Sequence, residues 1–167
     1  MPNYRRFWSE GQIHFQTHIT CERIPILIDN FDLLWDAVDK IKTDSPFRIL
    51  AWVVMPDHFH WVIDAGKNNP SLLIRRIKLS FSSSYRKRYG LRQGRVWQYR
   101  FWNHIIMSQR DMNIHFDYIH RNPVKHGLVK DPFRYPYSSL DNFYNEGYYS
   151  RDWSVMENSD GDREFGE

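Results

Sequence analysis

The sequence predicts an α+β fold in a single domain. Strand-like and helix-like hydrophobic patterns alternate along most of the 167 residues, and proline, serine or glycine stands at several of the boundaries between them. Hydrophobic residues make up 41% of the chain, which is enough to build one core at this length. We therefore expect one domain over residues 1–150 and an acidic tail over residues 151–167.

The first four predicted elements are a strand, a helix and two further strands. Residues 12–20 alternate apolar and polar side chains, as a half-buried strand does. Residues 31–43 repeat apolar side chains at helical spacing, and Pro46 ends that helix. Residues 47–55 form an apolar run typical of a strand buried on both faces. Across a Pro-Asp turn they pair with a strand over 58–64.

The remaining elements are a helix, a strand and a last helix. A long helix starts at Pro70 or Ser71 and ends near Gly90. A strand over 100–107 follows, and then a helix over 108–122 that ends before a proline. The first six elements match the split βαβ, ferredoxin-like pattern of an antiparallel sheet with helices on one face. The seventh is an additional helix, which carries Tyr118.

Charge is distributed unevenly along the chain. The net charge is only +3, but residues 71–110 contain ten Lys or Arg and no Asp or Glu, whereas the last sixteen residues contain six Asp or Glu and one Arg. This pattern indicates a polyanionic ligand. The acidic tail would compete with that ligand for the basic stretch. A solvated basic helix is the structural alternative.

The only cysteine, Cys21, excludes an internal disulfide and a zinc site built on several thiolates. The first residues lack the apolar stretch of a signal peptide. No apolar run approaches the roughly 20 residues needed to cross a membrane. We therefore expect a cytoplasmic protein.

His58 and His60 form the first candidate site. Alternate side chains of a strand share a face, so both imidazoles point the same way while Phe59 points into the core. Two neutral imidazoles side by side can hold one divalent cation. A pair of half-buried structural histidines is the alternative.

Tyr118 and Asn122 form the second candidate site, because residues four apart lie one turn apart on one helix face. A phenol attacks poorly at neutral pH unless a metal or a base assists it. The Asn122 carboxamide oxygen suits Mg²⁺ or Mn²⁺. An ordinary surface pair on an amphipathic helix is the alternative.

The basic stretch and the N-terminal Tyr-Arg-Arg-Phe-Trp segment interleave cations with aromatic rings. Cations contact phosphates and aromatic faces stack on bases, which favours a groove for single-stranded nucleic acid. The predicted DNA-binding residues are Arg5, Arg6, Arg75, Arg76, Lys78, Arg86, Lys87, Arg88, Arg92, Arg95, Trp97 and Arg100.

Two stretches resemble the REP-associated tyrosine transposases, relatives of the small insertion-sequence transposases of the HUH single-tyrosine class. They are VVMPDHFH over residues 53–60 and YIHRNPVKHGLV over residues 118–129. The segments GRVWQYRFW (94–102) and YSS (137–139) are also similar to that family, and the resemblance runs from about residue 4 to 140. One departure is Asp57, where most relatives have Asn.

The resemblance implies that Tyr118 is the nucleophile and that His58, His60 and Asn122 bind Mg²⁺ or Mn²⁺. It implies substrates that are single-stranded, imperfectly palindromic REP-like hairpins flanked by a short guide sequence. These would be cut and rejoined through a 5′-phosphotyrosine, with no nucleotide cofactor and no membrane. The sequence leaves open whether His115 or His120 accepts the tyrosine proton, and whether the chain is a monomer or a homodimer.

Two other functions stay open at this point. A ferredoxin-like domain can bind single-stranded nucleic acid without cutting it. A metal-dependent phosphodiesterase would use activated water and leave no covalent intermediate.

Overall fold

The computed structural model describes residues 8–153 and 165–166, and within them the chain forms a four-stranded antiparallel sheet. The strands are β1 (Ile13–Ile19), β2 (Arg48–Val54), β3 (His58–Asp64) and β4 (Trp102–Ile105). Their spatial order is β2-β3-β1-β4. Each helical crossover therefore joins two strands that have a third strand between them, which is the split βαβ arrangement. The predicted fold class is confirmed.

Helices cover both faces of the sheet. Helices α1 (Phe31–Asp44) and α2 (Pro70–Tyr89) pack on one face, and α3 (Gln109–Lys125) packs on the other. A short helix α4 (Leu140–Asn145), which the sequence did not predict, supports the α3 side. The helix with Tyr118 is thus separated from α1 and α2 by the whole sheet.

The boundaries of α2 follow from its caps. The Asn69 side chain accepts a hydrogen bond from the Ser71 backbone N–H at 2.9 Å, and Pro70 occupies the first helical position. Gly90 ends the helix at φ 65°, a conformation that glycine adopts without steric cost. The predicted boundaries of this helix are confirmed.

The predicted end of α3 is wrong. The helix passes through Pro123 and ends at Lys125. Proline costs the helix one backbone hydrogen bond, but here that bond falls in the last turn. Asn122 and Pro123 are both buried, so packing against the sheet outweighs the lost bond. Gly127, at φ 68°, ends the helical path.

The two edge strands differ from expectation. Strand β4 is four residues long rather than the eight predicted. Strand β2 is only partly buried because it lies at an edge of the sheet. Residues 137–139 cover that edge: the Val54 N–H donates to the Tyr137 carbonyl and the Ser139 N–H to the Trp52 carbonyl, both at 2.9 Å.

Residues 1–7, 154–164 and 167 lie outside the described residues. The predictions for Arg5 and Arg6 and for most of the acidic tail therefore fall there, and the domain boundary near residue 150 stays a prediction. In the described part of the chain, no helix combines the length and hydropathy needed to cross a bilayer.

Candidate active site

His58 and His60 lie on the face of β3 that α3 covers, whereas Phe59 packs with the α1 and α2 core. Both histidines are almost fully buried, and their ring centroids are 4.9 Å apart. Two adjacent imidazoles in a water-poor site are suited to chelating a cation.

The Nδ1 atom of each histidine has a partner. His58 Nδ1 lies 2.6 Å from the Asp57 carboxylate, to which it donates. His60 Nδ1 lies 2.8 Å from the Thr17 hydroxyl. The Thr17 proton is used in a 2.7 Å hydrogen bond to the Phe165 carbonyl, so His60 Nδ1 is the donor to Thr17.

These contacts fix the tautomers of both rings, with the proton on Nδ1 and the lone pair on Nε2. His58 Nε2 is buried and has no hydrogen-bond partner among the described residues. This is the pattern of metal-binding histidines, which donate their other N–H to a carboxylate or a similar acceptor. The residues present therefore fit a divalent cation.

Asp57 is held as a carboxylate. Burial raises its pKa, but the hydrogen bonds from His58 and from Arg23, 3.0 Å away, together with the positive charge of Arg23, outweigh burial and lower the pKa. Asp57 thus places a full negative charge behind His58.

Tyr118, on α3, contacts the histidine pair of β3. Its ring packs edge-on against His60 with centroids 5.2 Å apart, and the side chain is half-buried. Asn122 lies one turn further along the helix and is completely buried. The structure therefore brings the predicted nucleophile to the predicted metal-binding histidines, with Asn122 on the same helix.

Two residues that sequence reasoning did not assign stand beside this site. The Lys125 ammonium lies 5.1 Å from the centroid of the Tyr118 ring. The His126 ring is 5.2 Å from that of His58. Both follow from the helical spacing after Tyr118 once α3 is known to continue through Pro123.

His120 is a structural residue. It is fully buried, and Nε2 lies 2.8 Å from the Ser139 hydroxyl, which in turn contacts the Trp52 backbone of β2. Burial lowers the pKa of His120 to about 3, so it stays neutral while it ties α3 to the edge of the sheet. Its other ring nitrogen, Nδ1, lies 3.3 Å from the Tyr149 hydroxyl, so both nitrogens have partners other than Tyr118.

His115 belongs to a second group of ligand-capable side chains in the described residues, with His104 and Asp111. His104 Nε2 lies 2.8 Å from the Asp111 carboxylate, and His115 Nδ1 donates to the Asp111 carbonyl at 2.8 Å. Burial lowers the pKa of His115. The Asp111 carboxylate also accepts the Met107 N–H, so the group anchors the start of α3.

The predicted DNA-binding residues fall into two sets. Four contact other parts of the protein: Arg76 pairs with Asp44, Arg88 with Asp32, Arg86 with the Gly94 carbonyl, and Lys78 lies over Trp97. The other predicted cations within the described residues are exposed, and they are Arg75, Lys87, Arg92, Arg95 and Arg100. Arg95 stacks on Tyr99, whose side chain is 83% exposed.

The prediction for Trp97 is corrected by the structure. Its ring is buried and packs edge-on against Phe59 and Phe81. It belongs to the α1 and α2 core and presents no face to a base. Tyr99, two residues later, is the exposed aromatic ring of this segment.

The chain is similar to known proteins. Residues 2–122 match the family model "Transposase IS200 like", so this chain belongs to that family of transposases. The resemblance seen in the sequence is confirmed.

The relatives narrow the class to tyrosine transposases. The chain is 38% identical over 168 residues to the "REP-associated tyrosine transposase" of Escherichia coli (strain K12), covering 98% of each chain. A Haemophilus influenzae relative is 32% identical over 92% of this chain and 93% of its own. A solved structure described as the REP-associated tyrosine transposase bound to a REP hairpin superposes with a TM-score of 0.81 at 36% identity, covering 98% of both chains.

Proposed function

We propose that this protein cuts and rejoins single-stranded, hairpin-forming DNA of the REP type through a 5′-phosphotyrosine on Tyr118. The observation that carries the proposal is the packing of the Tyr118 ring against His60. It places the phenol beside two imidazoles whose tautomers are already fixed. The complex of the solved relative with a REP hairpin supports hairpin DNA as the substrate.

His58, His60 and Asn122 would hold the cation. Membership of the transposase family favours a metal-using enzyme. Two imidazoles can bind one divalent cation, and the Asn122 amide oxygen is a ligand that suits Mn²⁺ or Mg²⁺. When bound, the cation supplies positive charge against the negative charge that grows on the scissile phosphate. The Asp57 and Thr17 contacts keep both imidazoles oriented toward it.

Tyr118 carries out the covalent step. Its hydroxyl oxygen bonds to phosphorus, the bond from phosphorus to the 3′-oxygen breaks, and that oxygen takes up a proton as the phenol loses one. In the reverse step another 3′-hydroxyl attacks the phosphotyrosine and Tyr118 recovers its proton. Each cleaved ester is replaced by another ester, so rejoining needs no nucleotide cofactor.

The exposed cations would hold the DNA. Arg75, Lys87 and Arg92 carry no described ion pair and are open to solvent. Together with the Arg95–Tyr99 stack they offer both phosphate contacts and a face for a base.

The test is a labelled REP hairpin with single-stranded flanks, incubated with the protein and Mn²⁺ and then denatured in SDS. We expect a covalent adduct with the wild type and with the control Tyr144→Phe, whose ring is exposed on α4, and none with Tyr118→Phe. Cleavage by Tyr118→Phe at the wild-type rate would exclude the tyrosine and favour activated water. Binding without cleavage by the wild type would favour the non-catalytic module.

A further inference from the structure

Asp57 divides its carboxylate between two partners. One oxygen lies 2.6 Å from His58 Nδ1, and the other lies 3.0 Å from the Arg23 guanidinium. The His58 side chain is buried and that of Asp57 is mostly buried, whereas that of Arg23 is 43% exposed. A chain of charge-assisted contacts therefore runs from the surface, through Asp57, to a histidine that is proposed to bind the metal.

Arg23 reaches Asp57 from a strained backbone. It closes a single 3₁₀ turn, Cys21–Arg23, shortly after the end of β1. Glu22 and Arg23 have φ values of 54° and 53°, and within the described residues they are the only two residues other than glycine with positive φ. In that conformation the Cβ atom crowds the backbone, so residues other than glycine rarely adopt it. We call Cys21–Arg23 the strained turn.

Burial does not account for the strained turn, because none of its three residues is buried. Hydrogen bonds to neighbouring segments fix it: the Cys21 N–H donates to the Val96 carbonyl at 2.8 Å, and the Thr20 N–H, just before the turn, donates to the Asp57 carbonyl at 2.9 Å. An ion pair that is partly open to water contributes little to stability, so the Arg23–Asp57 pair does not offset the strain. Strain that packing does not require points to a functional role.

Resting on the metal site of the proposed function, we propose that Arg23 is a positioning residue for His58. The strained turn brings the Arg23 guanidinium to one oxygen of the Asp57 carboxylate, and this contact aims the other oxygen at His58 Nδ1. An aspartate carboxylate otherwise turns easily about its last side-chain bond. His58 Nε2, which is buried and has no hydrogen-bond partner among the described residues, is thereby kept available to a cation.

The charge and the hydrogen bond of Arg23 act on metal affinity in opposite directions. A positive charge near a cation site weakens the binding of the cation, whereas orienting a histidine ligand strengthens it. Replacing Arg23 therefore tightens Mn²⁺ binding if its charge dominates and weakens Mn²⁺ binding if its orienting contact dominates. The positioning role requires the second result, because a carboxylate that is free to turn leaves His58 without a fixed tautomer.

The experiment compares the wild type, Arg23→Gly, Glu22→Gly, Asp57→Ala and the combination of Asp57→Ala with Arg23→Gly, in the full chain without DNA. Glycine relieves the strained backbone at either position of the turn, so Glu22→Gly is the matched control that keeps the guanidinium. Isothermal titration gives the Kd for Mn²⁺, and thermal unfolding without metal gives the melting temperature. Nitrogen-15 NMR of the imidazoles without metal shows whether His58 Nδ1 still holds its proton.

We expect Arg23→Gly to weaken Mn²⁺ binding by about tenfold, the lower end of the range for groups that orient a metal ligand. Its melting temperature should not fall, because glycine relieves the strain. Glu22→Gly should leave the Kd unchanged. In the Asp57→Ala protein, Arg23→Gly should not weaken binding further, because Arg23 acts through that carboxylate. The His58 Nδ1–H signal should be sharp in the wild type and in Glu22→Gly and lost in Arg23→Gly.

An unchanged or lower Kd in Arg23→Gly would overturn the positioning role, and so would equal weakening with and without the Asp57 carboxylate. A melting temperature that falls while the Kd stays the same would make the Arg23–Asp57 pair an ordinary structural contact. If the wild type bound no Mn²⁺, the proposed metal site would fail. The NMR signal would then still decide the role of Arg23, since an unchanged His58 Nδ1–H signal in Arg23→Gly overturns it. None of these measurements depends on whether Tyr118 forms an adduct.

Discussion

Phe59 and His60 are neighbours in β3, but their side chains lie on opposite faces of the sheet, one in the hydrophobic core and the other in the candidate active site. Phe59 points to the α1 and α2 face, where it packs against Trp61 and Trp97. His60 points to the α3 face, where the buried side chains include three further histidines and an asparagine. Strand β3 thus contributes core side chains to one face and candidate active-site side chains to the other, because successive side chains of a strand point to opposite faces.

Burying polar groups is not what distinguishes the two faces. On the α1 and α2 face, Gln16 Oε1 accepts from the Trp61 indole at 2.9 Å and lies 3.1 Å from His18 Nε2, while its amide donates to Asn103. That network gives both the oxygen and the nitrogen of the Gln16 amide a partner. On the α3 face, His58 uses one nitrogen and keeps a buried lone pair without a hydrogen-bond partner among the described residues. The paired network holds the α1 and α2 face together, whereas the lone pair of His58, which stands beside a second imidazole, suits the α3 face to binding a cation.

The largest expected effect is a difference between substitutions of Phe59, which should lower stability, and of His60, which should abolish activity. We expect Phe59→Ala to lower the free energy of unfolding by about 3–5 kcal/mol, since it removes a large buried ring, while adduct formation persists below the new melting temperature. His60→Ala should abolish the adduct and cost only about 1–2 kcal/mol, because one hydrogen bond and less apolar area are lost. Urea unfolding and the SDS-resistant adduct measure the two quantities. If the His60→Ala protein still formed the adduct, the assignment of the active site to the α3 face would be contradicted.

The next effect is the stabilisation of the fold by metal. A ligand that binds only the native state at a hundred times its Kd stabilises it by about 2.7 kcal/mol. We expect Mn²⁺ to raise the unfolding free energy of the wild type and of Phe59→Ala by the same increment, and that of His60→Ala by none. Differential scanning calorimetry with and without Mn²⁺ gives the increments. An equal increment in His60→Ala would mean that the cation binds at another site. Substitutions of His104, Asp111 and His115 would then be the first to test.

A smaller effect concerns the carboxylate behind His58. Residues that orient a metal ligand typically contribute 10- to 100-fold to metal affinity. We expect Asp57→Ala to weaken Mn²⁺ binding by about that range, and Asp57→Asn by less, because an amide oxygen still accepts the His58 Nδ1–H. Isothermal titration of DNA-free protein measures both Kd values. Asp44→Ala, which removes an acid paired with Arg76 on the other face, is the control and should change nothing.

The sequence predicted what depends on local spacing. The alternation in β3 placed His58 and His60 together, and the one-turn spacing placed Tyr118 beside Asn122. The hydrogen-bond partner of His60 could not be predicted from local spacing, because Thr17 lies next to His60 only through the pairing of β1 with β3. Phe165 lies 148 residues from Thr17 along the chain, a contact that no local pattern encodes.

The errors have a common physical origin. Trp97 was assigned to DNA because aromatic residues among cations suit nucleic acid, but spacing does not show which ring turns inward. The end of α3 was placed before Pro123 because a local rule about proline was applied where burial decides. Both errors are cases in which tertiary packing overrides a correct local tendency.

The smallest expected effect distinguishes two arginines of the α1 and α2 side. Arg88 donates to Asn30 and pairs with Asp32 on α1, whereas Arg92 is exposed in the loop after α2. A cation that already has a carboxylate partner releases fewer counterions when it meets a phosphate. We therefore expect Arg92→Ala to reduce the salt dependence of binding to the single-stranded flank by about 0.7 in the slope of log K against log salt, and Arg88→Ala to leave it nearly unchanged. Fluorescence anisotropy at several salt concentrations measures the slopes. Equal reductions would mean that Arg88 exchanges Asp32 for DNA.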